Sequence, residues 1–159
     1  MANKLRLPAL DPADVPAATG TNYPEQFRAA VAGRSKRRLG DALGLTLFGV
    51  NLTTLRPGAQ SALRHWHSAQ DEFIYVVEGA LVLVTDDGEQ VVGPGMCAGF
   101  PAGKRDGHHL VNRSGRDAIY LEVGDRTGND TVTYPDNNIH APAATDGSRR
   151  FTKKDGTPY

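Results

Sequence analysis

Between residues 45 and 124 the chain is written in short β-type runs, each closed by glycine, proline or aspartate, and none is long enough or periodic enough for an amphipathic helix. The runs are 45–55, 61–67, 72–78, 80–85, 89–92, 108–112 and 118–124. Arg56-Pro57-Gly58 is a turn, Asp86-Asp87-Gly88 a tight hairpin, and Gly79 breaks the strand before it. Parallel strands need long crossovers between them, usually helical, and there is no room for any here. The spacing therefore predicts an all-β, antiparallel sandwich or barrel.

A length of 159 residues suits one domain, and 39% hydrophobic residues suffice for its core. We divide the chain into an N-terminal arm and lead-in (1–44), a barrel core (45–124) and a polar C-terminal extension packed on the barrel (125–159). In the extension, Tyr134-Pro135 and Arg149-Arg150-Phe151 read as anchors. Arg34, Lys36, Arg37 and Arg38 form a basic cluster without interleaved aromatic residues, which we read as the solvated face of a short helix or loop.

Lys plus Arg and Asp plus Glu both total 18, so no global field attracts a polyanion and nucleic acid is not expected as a partner. The apolar runs 73–77 and 80–84 fall far short of the roughly 20 residues a membrane span needs. The lone Cys97 can form no intrachain disulfide, and the first residues lack the apolar centre of a signal peptide, so a cytoplasmic location is the expectation.

The chemistry-bearing residues lie in two segments. On a strand, residues two apart share a face, so His65 and His67 point together while Arg64 and Trp66 point away. Glu72 opens the next run, where a hairpin return brings its carboxylate back toward both rings. Two imidazoles and a carboxylate can hold a divalent metal with positions left open, although a His-x-His pair alone is equally compatible with surface or packing histidines. The second segment, 95–112, supplies His108 and His109 as candidates for a third imidazole. Glu78 is a strand-end carboxylate in solvent, Cys97 a packing thiol without an activating charge, and Trp66 an outer-face side chain.

These residues resemble the cupin superfamily. Its first motif is matched by Gly58, His65, His67, Glu72 and Gly79, with a spacer one residue longer before His65. Its second is matched by Gly95, Pro101, Gly103, His108 and Asn112, with four residues instead of two between Gly103 and the histidine. The resemblance covers about 45–124 and implies a jelly-roll barrel whose metal ligands are His65, His67, Glu72 and His108. The family pattern and strand alternation select His108 over His109, which is left as an exterior or supporting residue. The cofactor implied is one divalent transition metal: iron, manganese, nickel, zinc or copper. Small single-domain bacterial cupins, some labelled sugar-phosphate isomerases, are the nearest in character.

The resemblance implies a metal-dependent enzyme acting on a small oxygen-rich metabolite, by oxygenase-type or isomerase-type chemistry. The alternatives are a metal-holding cupin that binds a sugar or small anion without turnover, and a purely structural barrel. Lys104 and Arg105, on the lengthened corner loop, are candidate contacts for an anionic substrate. Edge strands of small barrels need covering, and an apolar patch around Trp66 and the first strand predicts a homodimer. Sedimentation at micromolar concentration should show a dimer; a monomer overturns this expectation.

Overall fold

A computed structural model of the chain describes residues 5–142 and 150–159, so Arg149 lies outside the described residues. The first strands are β1 (Ala17–Thr19), β2 (Arg34–Arg38), β3 (Phe48–Leu55) and β4 (Trp66–His67). The hairpin strands β5 (Glu72–Glu78), β6 (Leu81–Thr85) and β7 (Gly88–Val92) follow, then β8 (Cys97–Phe100), β9 (His109–Val111) and β10 (Ala118–Asp125). The tail adds β11 (Thr131–Thr133) and β12 (His140–Pro142). Every pairing among these strands is antiparallel. One sheet runs β1-β2-β3-β10-β5-β8, and two three-stranded sheets, β7-β6-β9 and β12-β11-β4, complete the jelly roll. The helical pieces Glu25–Arg28 and Leu39–Ala42 are single turns, and no helix among the described residues is long and apolar enough to cross a membrane.

The six-stranded sheet positions the site through its register. Directly paired residues share a face, so its inner face reads in rows. One row is Gly49, Gly124, Glu72 and Phe100; the next is Asn51, Glu122, Ile74 and Ala98; the third contains Lys36, Thr53, Tyr120 and Val76. Beyond these polar rows, Leu55, Ala118, Val76 and Tyr120 join Leu81, Leu83, Val92 and Leu110 in the main core. The outer face carries Phe73, Tyr75 and Val77, which are 41–46% exposed, together with Phe48 at 42%. The exposed apolar surface thus includes the expected first strand but centres on β5, whereas Trp66 is half-buried with the Arg105 guanidinium 6.0 Å from its ring centroid.

Several sequence expectations need correction. The basic cluster is neither helix nor loop: it is β2, paired with β1 and β3. Alternation sends Arg34 and Lys36 to the inner side, while Arg37 holds the N-terminal arm through the carbonyls of Ala13 and Val15. The strand pairing with β3 satisfies the backbone and overrides the charge pattern from which a solvated face was read. Residues 97–100, outside the runs read as strands, form β8 against the start of β5. The run 61–67 is a strand only at its end. From Ser61 to His65 the chain takes four steps while its partner takes two, from Leu110 to His108, so the ladder is irregular here, within the segment that carries the longer spacer. His109 fills that irregularity, its Nδ1 lying 3.1 Å from the Ala62 carbonyl.

The extension packs on the barrel with its own core: Val132, Tyr134, Ile139 and Ala141 enclose Tyr23, Val31 and Leu63, with Phe151 against them. Arg64 ties three pieces together, pairing with Asp136 of the tail at 2.7 Å, with Asp86 of the hairpin, and with the Gly107 carbonyl.

Gly79 turns the chain between β5 and β6 at φ +77, and a Cβ there would lie 2.8 Å from both Ala118 Cα and the Asp117 oxygen. Strain and collision act together, so Gly79→Ala should cost about 2 kcal/mol or more. Urea unfolding monitored by circular dichroism checks this; an unchanged midpoint contradicts it.

Candidate metal centre

The cluster is built at the seam between β4, the start of β5 and the segment entering β9. His65 and His108 exchange backbone hydrogen bonds, His65 N to His108 O at 3.2 Å and His108 N to His65 O at 2.9 Å, which sets their side chains next to each other. His67 lies on β4, which the tail strand β11 flanks through Val132. Glu72 projects from the first position of β5. Its Oε2 lies 3.7 Å from His65 Nε2, 3.4 Å from His67 Nε2 and 3.0 Å from His108 Nε2. The tightest group is His65, His67 and Glu72, whose donor atoms all fall within 4.8 Å of one another; His108 joins it through Glu72. His109 instead uses its ring on the Ala62 carbonyl.

The far nitrogens decide which lone pairs are free. His65 Nδ1 lies 2.8 Å from the Leu63 carbonyl, and His67 Nδ1 lies 2.6 Å from Asp130 Oδ2. Both partners accept, so Nδ1 carries the hydrogen and the Nε2 lone pair faces Glu72, which is the tautomer a metal ligand requires. Asp130 is 1% exposed and also accepts from the Ala69 N–H and the Ser68 hydroxyl, so its position is set before it orients His67. His108, 6% exposed, stacks flat on Phe100 with ring centroids 3.5 Å apart. His65 stacks on Tyr134 at 5.8 Å.

Burial pushes the His65 pKa down to about 4, aided by the neighbouring imidazoles and opposed by the Glu72 charge. Burial works against ionisation of Glu72 as well, yet the His108 hydrogen bond and the surrounding histidines outweigh it and bring the carboxyl to about 2. The arrangement is a carboxylate hydrogen-bonded to His108 Nε2, with the Nε2 atoms of His65 and His67 turned toward the same oxygen. This donor set suits a divalent first-row ion and leaves coordination positions open.

The cluster opens into a cavity of about 380 Å³. Gly49 and Gly124, which share Glu72's row, give its wall no side chains. One row on, Glu122 stands ionised: Lys36 Nζ donates to its Oε1 at 2.5 Å, Asn51 Nδ2 at 2.9 Å, and the Tyr120 hydroxyl reaches Oε2 at 3.2 Å. A second, smaller cavity of about 200 Å³ meets His67, Glu72 and His108 from another side. Lys104 lines that smaller cavity and pairs with Asp106 at 3.3 Å; Arg105 lines neither cavity.

Sequence reasoning brought His65, His67, Glu72 and His108 together but missed Asp130, Arg34, Lys36 and Glu122. The alternation of Arg34 and Lys36, and of Tyr120 and Glu122 within an expected strand, was an available signal for side chains on one inner face. Asp130 had none, because its segment reads as loop.

Comparisons with known proteins identify the family. Residues 51–124 match the family Cupin_2, the cupin domain. A crystal structure from Silicibacter pomeroyi DSS-3, described as a sugar phosphate isomerase from a cupin superfamily, is 50% identical, covers 96% of each chain and superposes with a TM-score of 0.91. A protein from Acidithiobacillus ferrooxidans, provisionally named a sugar phosphate isomerase, is 27% identical over 79% of this chain and 80% of that one, with a TM-score of 0.71. The polyketide cyclase RemF from Streptomyces resistomycificus is 25% identical over 74% of this chain and 78% of that one, with a TM-score of 0.61. No curated protein matches the chain. The chain belongs to the cupin superfamily.

The depressed His65 pKa has a stability consequence for the metal-free protein. Between pH 6.5 and about 4 the unfolded chain binds a proton at His65 that the folded chain refuses, so stability falls as pH falls through this window. Glu72, ionised in the fold down to about pH 2 but protonated below about 4.5 when unfolded, continues the loss at lower pH. The His65 contribution is on the order of 3 kcal/mol. Urea denaturation from pH 7.5 to 4 should show this limb, and His65→Gln should flatten it; an identical slope in the variant contradicts the assignment.

Proposed function

We propose that this chain is a metal-dependent enzyme that moves a proton next to the carbonyl of a small, anionic hydroxy-carbonyl metabolite, as in aldose–ketose isomerisation. The observation that carries the reading is the convergence of His65, His67, His108 and Glu72 at the end of a cavity that also holds an ionised carboxylate, Glu122. The four residues would hold a divalent first-row ion. Such an ion supplies Lewis-acid polarisation of a substrate carbonyl or hydroxyl oxygen.

The chain's own side chains provide the rest. Asp130 orients His67, and the Leu63 carbonyl orients His65. Glu122 is kept ionised by Lys36 and Asn51 and can accept a proton, while the Tyr120 hydroxyl, at Oε2, is placed to hand one on. Phe100, Leu110, Ile74 and Val132 line the cavity with apolar surface that limits water around a bound substrate. A proton-accepting group in the cavity favours turnover over mere storage of a ligand, and the sugar phosphate isomerase name of the Silicibacter protein agrees with this class.

Elemental analysis of protein purified without chelator should find one divalent transition metal per chain. His67→Ala should abolish stoichiometric metal while its circular dichroism remains that of a folded barrel, because the core is formed by apolar strands. Proton exchange beside the carbonyl of a sugar-phosphate panel, followed by NMR in deuterated water, should occur with the metal-loaded protein and fall by about a hundredfold or more in Glu122→Gln. Tight ligand binding with no exchange by the loaded wild type would favour the non-catalytic alternative instead.

A further inference from the structure

Three cations line the larger cavity, and they differ in how their charge is met. Lys36 is paired with Glu122, and Arg126 with Asp41. Arg34 is not: among the described residues it has no carboxylate within 4.0 Å, and its hydrogen bonds go only to carbonyl oxygens, from Nη1 to Ser61 and from Nη2 to Gly20 at 3.4 Å. Two separate segments therefore hold the guanidinium through carbonyls, with no carboxylate in direct contact. A guanidinium has five N–H donors, and these two bonds leave the Nε hydrogen and one on each terminal nitrogen unassigned. Arg34 is half-buried and feels the Glu122 charge only at a distance, without a direct ion pair, so an oxyanion on its free N–H groups would supply the close counter-charge it lacks.

We propose that Arg34 is the anion anchor of the cavity: it takes the phosphate or carboxylate group of a substrate whose oxygen-rich end lies at the histidine cluster. This rests on the proposed function, since it assigns the opposite end of the same ligand. The fork of a fixed guanidinium matches two oxygens of an oxyanion at once, and its carbonyl tethers hold that geometry before the ligand arrives. Lys36 adds positive potential but has its ammonium engaged by Glu122, so the discriminating contact falls to Arg34. The cavity joins the two ends, being lined by Arg34, Lys36, Tyr120 and Glu122 as well as by His65, His67, Glu72 and His108. The contact to an anionic substrate, expected from Lys104 and Arg105 on the corner loop, is thereby proposed for Arg34 on β2, in the larger cavity, which neither loop residue lines.

The test is calorimetric titration of the full-length, metal-free protein with inorganic phosphate and, separately, with acetate, at matched ionic strength. Wild type should bind at least one of them, and Arg34→Gln should bind it roughly ten- to a hundredfold more weakly. Arg105→Ala, whose side chain lines neither cavity, should retain wild-type affinity, and because the titrated protein is metal-free the subsite survives even if no metal or turnover is found. A preference for phosphate identifies a phosphoryl ester as the natural ligand, and a preference for acetate a carboxylic acid. Should Arg34→Gln not fold, Arg34→Lys carries the test, because it keeps the charge and loses the fork: weakened binding supports the anchor. Unchanged binding in the folded Arg34 variant, loss of binding in Arg105→Ala, or no anion binding by wild type overturns the proposal.

Discussion

Glu72 must be met by donors or be neutralised, and the whole neighbourhood is arranged around that requirement. A carboxylate removed from water loses hydration that only hydrogen bonds or opposite charge can replace. Here the hydrogen bond comes from His108 Nε2, on the segment after β8, while His65 and His67, before the β5 hairpin, turn their Nε2 atoms toward the same carboxylate oxygen. Each ring is in turn held from behind: His67 by Asp130, His65 by the Leu63 carbonyl and His108 by the face of Phe100. The site is thus a small polar network enclosed by an apolar barrel, and its members define one another's orientation.

The register of the six-stranded sheet turns this network into a cavity. Because pairs across antiparallel strands share a face, placing Glu72 in a row with Gly49 and Gly124 leaves open space beside the carboxylate. Advancing one row, about 7 Å along the strands, brings Asn51 and Glu122, and the next brings Lys36 and Tyr120. The polarity of the inner face therefore changes along the strand direction, from polar rows at the site to Leu55 and Ala118 in the main core. A shift by one residue would send Glu72 outward and Phe73 inward, so apolar burial and the site depend on the same register.

The segments outside the barrel core also shape the site. The tail strand β11 pairs with the His67 strand and carries Asp130 just before it and Tyr134 just after it. The lead-in supplies Tyr23 and β2, which extends the main sheet by one strand and closes the cavity with Arg34 and Lys36. Arg64 then joins hairpin, corner loop and tail through Asp86, Gly107 and Asp136.

The sequence by itself determined what depends on local order. Six of the seven β-runs, the Asp86-Asp87-Gly88 hairpin and the face shared by His65 and His67 follow from residue type, turn chemistry and the two-residue period of a strand, whereas 61–67 is strand only at its end. Two spaced motifs placed His65, His67, Glu72 and His108 in one group, although both departures from the motif fell where local order could not show their effect. One lies in the irregular stretch opposite His109, and the other became a loop held by Asp106 to the Asp86 backbone. Tertiary structure alone decided which residues surround that group. Asp130 meets His67 across 63 residues of chain, Glu122 meets Lys36 across 86, and Arg34 meets the Ser61 carbonyl across 27. Such contacts are set by strand order and sheet packing, which no local period encodes, so a charged run that reads as solvated in sequence became a wall of the cavity.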